Sequence, residues 1–412
     1  MLRLILAAAL AAAAPHGVPA GKPLATPLSE AGAIALAPDG RALYAVAGLD
    51  ARSRLIAFIR DARTGALRRL RGRATCRFSW VAPSRFRVCA PERGLNVPTV
   101  VAVAPDGRGV LVASFSSSPP VTSYARDPAT GALRLGGCVD RADYRRAPCR
   151  TAWVDRVSDI ALSPDGRSVY LSSPRDIPAL AVVSRAPATG ALASLADAAG
   201  CVGHAGLAAF WHRPCTELPV RRFVPVGAVV SPDGRFVYVA SAPFLEPPIL
   251  FAFARDARTG ALQPLPGTTS CLSVRPRPSC AALPPVAIAG RHGLVLAPDG
   301  ATLYLAGHAG ASGDDGVVIA LARDAASGAL TPLTPVGIPG GRLDEVAVAP
   351  DGRTVYAPTA RGLASFRRSS NGSLALLTID RRLLVSELVP SRDGRTLYGV
   401  GGPGLLAVPL AP

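Results

Sequence analysis

The chain has 412 residues, 49% of them hydrophobic and 18% charged, with 45 basic residues against 28 acidic ones and a formal net charge of +17. This excludes a disordered chain, which needs fewer apolar residues to stay unfolded, and past the N-terminus no apolar run is long enough for a membrane-spanning helix. Every basic residue except Lys22 is arginine and only 5% of residues are aromatic, so the charge is not interleaved with stacking surface and nucleic acid is an unlikely partner.

The chain opens with Arg3, an apolar run from Leu4 to Ala14 and the small-residue site Val18-Pro19-Ala20, which together read as a signal peptide over residues 1–20. Residues 21–412 are then the folded part of a secreted, periplasmic or cell-envelope protein, and the Ala, Gly, Pro and Arg bias suits a GC-rich bacterial genome. A lone strand is expected from Leu24 to Leu28. The first of seven related hairpins follows, Ile34-Ala35-Leu36-Ala37-Pro38-Asp39-Gly40-Arg41-Ala42-Leu43-Tyr44-Ala45-Val46. Its relatives centre on Asp106, Asp165, Asp233, Asp299, Asp351 and Asp393, each followed by glycine, at spacings of 42 to 68 residues. Proline presets the first turn position, Asp suits the second, and Gly takes the positive φ that closes the turn. A tyrosine stands five residues after the turn Asp in six copies (Tyr44, Tyr170, Tyr238, Tyr304, Tyr356, Tyr398), with Leu111 in the remaining one.

A second hairpin type begins at Leu55 to Leu67 and recurs around Gly131, Gly190, Gly260, Gly328 and Gly372. An arginine precedes each turn glycine by five residues: Arg60, Arg126, Arg185, Arg255, Arg323 and Arg367. Two hairpins per repeat make a four-stranded antiparallel unit, and seven such units make an all-β, seven-bladed propeller in one domain. The seventh unit ends after Leu405-Leu406-Ala407-Val408 without a last strand. The spare N-terminal strand is therefore expected to complete it and close the ring, removing two sheet edges.

The Pro-Asp-Gly-Arg-x-Val/Leu-Tyr and Arg-Asp-x-x-Thr-Gly-Ala-Leu hairpins resemble those of the lactonase-like and YVTN-repeat seven-bladed propellers, over nearly all of the chain past residue 20. The resemblance implies the fold directly. For function it implies either a lactonase-type hydrolase or a surface protein, because the shared residues are turn and packing residues.

Eight cysteines form four close pairs, Cys76/Cys89, Cys138/Cys149, Cys201/Cys215 and Cys271/Cys280, each at the same place in its repeat. No C-x-x-C spacing favours zinc, so local disulfides are expected, although eight cysteines allow 105 connectivities in principle. The stretch from Arg68 to Arg93 holds eight arginines, Arg85 and Arg87 among them, against Glu92 alone. It is either a site for an anionic polymer or cell surface, or a solvated loop.

Chemistry is sought on the face opposite the tight turns. Trp80, Trp153, Trp211, His204, His212, His292 and His308 all fall in or beside the connections expected there. The strand lining the channel carries Asp159, Glu345 and Glu387 six residues before their turn Asp, with Asp344 and His292 adjacent. These groups could position a water or hold a divalent cation at the channel mouth, or serve only to tie strands together. No nucleophile elbow, zinc-protease motif or phosphate-binding loop occurs. The expected function is therefore a monomeric binding scaffold without a resident cofactor or metal, its ligand a protein, glycan or small molecule. A lactone hydrolase is the alternative.

Overall fold

The computed structural model describes residues 17–19, 23–28, 31–48, 53–72, 74–79, 89–92, 95, 97–114, 119–141, 149–152, 154–175, 179–207, 214–242, 247–288, 293–309, 315–343, 345–402 and 404–411. All seven Asp-Gly turns close hairpins, with the glycine at φ between +66° and +70° in each. In the first, the Gly40 amide donates to the Ala37 carbonyl at 2.8 Å, and the Arg41 amide donates to the Asp39 carboxylate at 2.9 Å. The glycines of the second hairpin type are also left-handed, from +72° at Gly131 to +91° at Gly372.

Seven separate sheets result, and the fold is a seven-bladed β-propeller. The first strands of successive blades contact one another around the full circle and line the axis. Blade 6 keeps the plain plan of four antiparallel strands, Ala347–Val348, Thr354–Thr359, Gly362–Arg368 and Leu374–Asp380. Blade 7 takes three strands from the C-terminal end and the fourth from Leu24–Pro27, with Leu24 opposite Ala407 and Pro27 opposite Gly404. The ring thus closes with the N-terminal strand, as the truncated last repeat implies. Blade 5 has six strands because its first and fourth are each interrupted.

Second strands such as Ala42–Ala47, Ser168–Ser173 and Thr354–Thr359 are buried at every position. They show no polar alternation because each blade is covered on both faces by its neighbours. The apolar side chains accordingly gather into seven clusters, one at each junction between blades.

The repeated Tyr, Asp and Arg meet across those junctions. Between blades 4 and 5, Arg323 at the end of a third strand donates from Nε to the Tyr238 hydroxyl at 3.0 Å and from Nη1 to the Gly300 carbonyl at 3.1 Å. Its Nη2 lies 2.5 Å from the Asp233 carboxylate. The Tyr238 hydroxyl passes its own proton to the Gly328 carbonyl at 2.8 Å. The same clasp joins Tyr44 to Arg126, Tyr170 to Arg255, Tyr304 to Arg368 and Tyr398 to Arg60, with Nε–hydroxyl distances of 2.7–2.9 Å. The six clasp arginines have side chains no more than 8% exposed. In blade 6 the arginine is Arg368 and not the expected Arg367, because the turn Ser369–Ser373 is one residue shorter than its relatives. Where Leu111 replaces tyrosine, Arg185 keeps its bonds to Asp106 and Gly166, but its Nε has no partner among the described residues. The Arg185 guanidinium instead lies against Gly109, where a Cβ would not fit.

Removing one hydroxyl should leave a buried donor and acceptor unmatched. Tyr238→Phe should lower the unfolding free energy by about 1–3 kcal/mol in denaturant titrations, and an unchanged midpoint would refute the clasp's contribution.

The clasps also fix a pH window. Burial pushes the Tyr170 and Tyr238 hydroxyls up to about 12, against the opposing charges of Arg255 and Arg323. The folded state therefore keeps those protons where the unfolded chain loses them, so stability is present below pH ~10 and falls as pH rises above it. For Asp39, Asp165, Asp233 and Asp393, burial pushes upward but hydrogen bonds and arginine charge outweigh it, leaving each below its ordinary value. Their contribution is complete above pH ~4 and is lost as pH falls further. The native protein should show tyrosinate absorbance from Tyr170 and Tyr238 only near pH 12, whereas full ionisation at pH 10 without unfolding would contradict this.

Candidate functional site

Blades 1–4 differ from the rest. Each adds a short strand outside the fourth, namely Ala90–Glu92, Arg150–Ala152, Thr216–Leu218 and Ala281–Ala282. Each of these runs parallel to its neighbour, pairing Arg77 with Ala90, Val139 with Arg150, Val202 with Thr216 and Leu272 with Ala281. Parallel neighbours joined by so short a segment are unusual, since such a crossover ordinarily takes a dozen or more residues. The disulfides supply the constraint. Cys76–Cys89, Cys138–Cys149, Cys201–Cys215 and Cys271–Cys280 each sit one residue before the first parallel pair, with Cα atoms 4.7–4.9 Å apart. Closing loops of 9 to 14 residues stabilises each blade edge by roughly 3 kcal/mol in the chain-entropy picture. The cysteine spacing reveals the pairing, but nothing in the short, mixed sequences of these strands announces a fifth lane.

Along the blade 1 edge, Arg68, Arg69, Arg71, Gly72 and Cys76 line a cavity of about 750 Å³. The three arginine side chains are exposed and form no ion pair among the described residues, and Arg69 directs Nη2 at the disulfide, 3.5 Å from Cys76 Sγ and 3.8 Å from Cys89 Sγ. The matching positions of blades 3 to 6 are uncharged: Ala193 and Ser194, Gln263 and Pro264, Thr331 and Pro332, Ala375 and Leu376. A second cavity, about 560 Å³, lies between blades 2 and 3 and is lined by Arg150, Thr151, Ser194 and Asp197, among others.

Of the groups proposed for the binding face, His204 and His308 are described. His204 ends the Cys201–His204 strand of blade 3, half-buried, and its pKa is lowered by burial and then by the nearby Arg222 charge, against Glu217. His308 lies near the end of Thr302–Ala309 in blade 5, paired with Ala287 and Gly316, so both histidines extend strands and stand on different blades. Trp80, Trp153, Trp211, His212, Arg85 and Arg87, together with the channel-mouth candidates His292 and Asp344, lie outside the described residues.

The three described carboxylates at the channel occupy first strands or their approaches and are buried. Asp159 accepts the Ala228 amide of the next blade at 2.9 Å and the Ile160 amide at 2.8 Å. Glu345 likewise accepts the Leu388 amide of the next blade at 2.9 Å. Both acceptances fall at the same offset, so each carboxylate stitches one axis-lining strand to the next. Glu387 pairs with Val400 in the first strand of blade 7, directly after the bulge that separates it from Val385. Among the described residues, no three His, Cys, Asp or Glu side chains converge on one point.

No family model matches the chain, and neither does any curated protein. Solved structures do. A proposed 6-phosphogluconolactonase of Bacteroides fragilis superposes with a TM-score of 0.57 at 16% identity, over 85% of both chains. The fold is that of the lactonase-like seven-bladed propellers. The periplasmic gluconolactonase of Pseudomonas aeruginosa matches with a TM-score of 0.56 at 21% identity, over 84% of each chain. A Lactobacillus plantarum protein gives 0.56 at 18% identity, over 85% of this chain and 84% of its own. At such identities the likeness extends to the fold alone.

Proposed function

We propose that this propeller is an extracytoplasmic binding scaffold, whose ligand is an anionic polymer held at the disulfide-clamped outer edge of blade 1. The observation that carries the reading is the Arg68, Arg69 and Arg71 cluster, which lines a cavity on a covalently pinned edge and forms no ion pair among the described residues. A guanidinium row of this kind attracts carboxylate or sulfate groups and holds them in register. Four disulfides suit an oxidising compartment, which supports a periplasmic or secreted location. The clasps occupy the tight-turn face at six of the seven blade junctions, leaving the edge and its loops for recognition.

A lactonase is the second reading, favoured by the fold shared with the periplasmic gluconolactonase. Its candidate groups are Asp159, His292, Asp344, Glu345 and Glu387. Against it, Asp159 and Glu345 already accept backbone amides of neighbouring blades.

The test is retention on immobilised dextran sulfate against neutral dextran across a salt gradient. Replacing Arg68, Arg69 and Arg71 with Gln should shift elution to clearly lower salt. Replacing the equally exposed Arg41, Arg108 and Arg395 should shift it much less, which separates a site from net charge. Equal shifts would refute the site. Hydrolysis of gluconolactone that disappears in Glu345→Gln while the melting temperature holds would instead support the enzyme.

A further inference from the structure

Six blades close their second hairpin with a left-handed glycine, and blade 7 ends before reaching one. Gly17 fills the gap. Its φ of +75° matches +74° at Gly65 and +76° at Gly328. In the intact turn of blade 1, the Asp61 amide donates to the Ala66 carbonyl at 2.9 Å and the Gly65 amide to the Asp61 carbonyl at 2.8 Å. At the last blade, the Ala411 amide donates to the Val18 carbonyl at 2.9 Å, and the Gly17 amide to the Ala411 carbonyl at 2.9 Å. The bonds are the same two, with Ala411, Gly17 and Val18 standing for Asp61, Gly65 and Ala66. The Gly17 carbonyl also accepts the Tyr356 hydroxyl, as the Gly65 carbonyl accepts that of Tyr398. A Cβ on Gly17 would strike Thr354, just as one on Gly65 would strike Thr396. Val18 is 4% exposed, and Pro19 bridges to Leu410.

A cut after Ala20 would discard this turn. We infer that the leader is removed upstream of Gly17, with the small residues Ala11 to Ala14 forming the processing site, so that the exported chain keeps the glycine that completes blade 7. The inference rests on the extracytoplasmic reading. The step is hydrolysis of one peptide bond by a leader peptidase: water adds across it, the leader departs with a new carboxylate, and the retained chain gains a new ammonium group. Ala11 to Ala14 supply small residues at both positions such a peptidase reads.

The experiment is expression of the full chain in an exporting bacterial host, followed by N-terminal sequencing and intact mass of the cell-envelope fraction. A first residue of Ala14 or Pro15 is expected. An exported chain beginning at Gly21 overturns the inference and leaves the export reading intact, whereas an uncleaved chain confined to the cytoplasm overturns both. As a second readout, a chain starting at Ala14 should melt several degrees above one starting at Gly21, and Gly17→Val in the longer chain should remove most of that difference. Equal melting of the two chains would also overturn the inference.

Discussion

The arginine at the end of six of the seven third strands is the element on which the ring depends. A guanidinium has donors in a rigid fork, and here the fork meets a hydroxyl, a turn carbonyl and a carboxylate that belong to two different hairpins. Buried charge is costly unless it is fully matched, so the geometry tolerates little sliding of one blade over the next. The apolar clusters between blades attract without direction. The clasps give that attraction a register.

This arrangement decides where chemistry can sit. The clasps draw both sets of tight turns onto one face and tie up their polar groups. Along the axis, Asp159 and Glu345 are also engaged with neighbouring backbone, which extends the same logic to the inner wall. What stays open is the outer edge of blades 1–4, where disulfides hold strands that backbone pairing alone would hold weakly. Covalent reinforcement and unmatched positive charge coincide at blade 1, and that coincidence directs the functional reading.

Much of the fold was legible because the turns are local. Gly40 and its six counterparts need a positive φ whatever surrounds them, and the missing last strand follows from counting hairpins. The clasp was visible only in pieces. Tyr at five residues past Asp and Arg at five before Gly are each periodic, but nothing in a linear spacing says that Tyr238 and Arg323 are partners 85 residues apart. Five residues before Gly372 stands Arg367, but the shortened turn puts Arg368 in the clasp. The parallel fifth strands escaped notice since Ala281–Ala282 and its relatives carry no pattern beyond the preceding cysteine. Small residues such as Gly17 suit both a leader and a left-handed turn, and no spacing in the sequence announces its bonds to Ala411 and Tyr356.

If the clasps set the strength of each junction, the junctions should open in order of how complete they are. Between blades 6 and 7 the position of the clasp arginine is held by Leu410, whose amide donates to the Arg395 carbonyl as the Arg60 amide does to Arg41, and Tyr356 meets the Gly17 carbonyl, while blades 4 and 5 share the full set. Native-state hydrogen exchange followed by mass spectrometry measures that order directly. The account predicts that amides of blade 7, from Val385 to Leu410, exchange first and that those flanking Tyr238 and Arg323 exchange last. Opening that starts at the blade 4–5 junction, or uniform exchange around the ring, would contradict it.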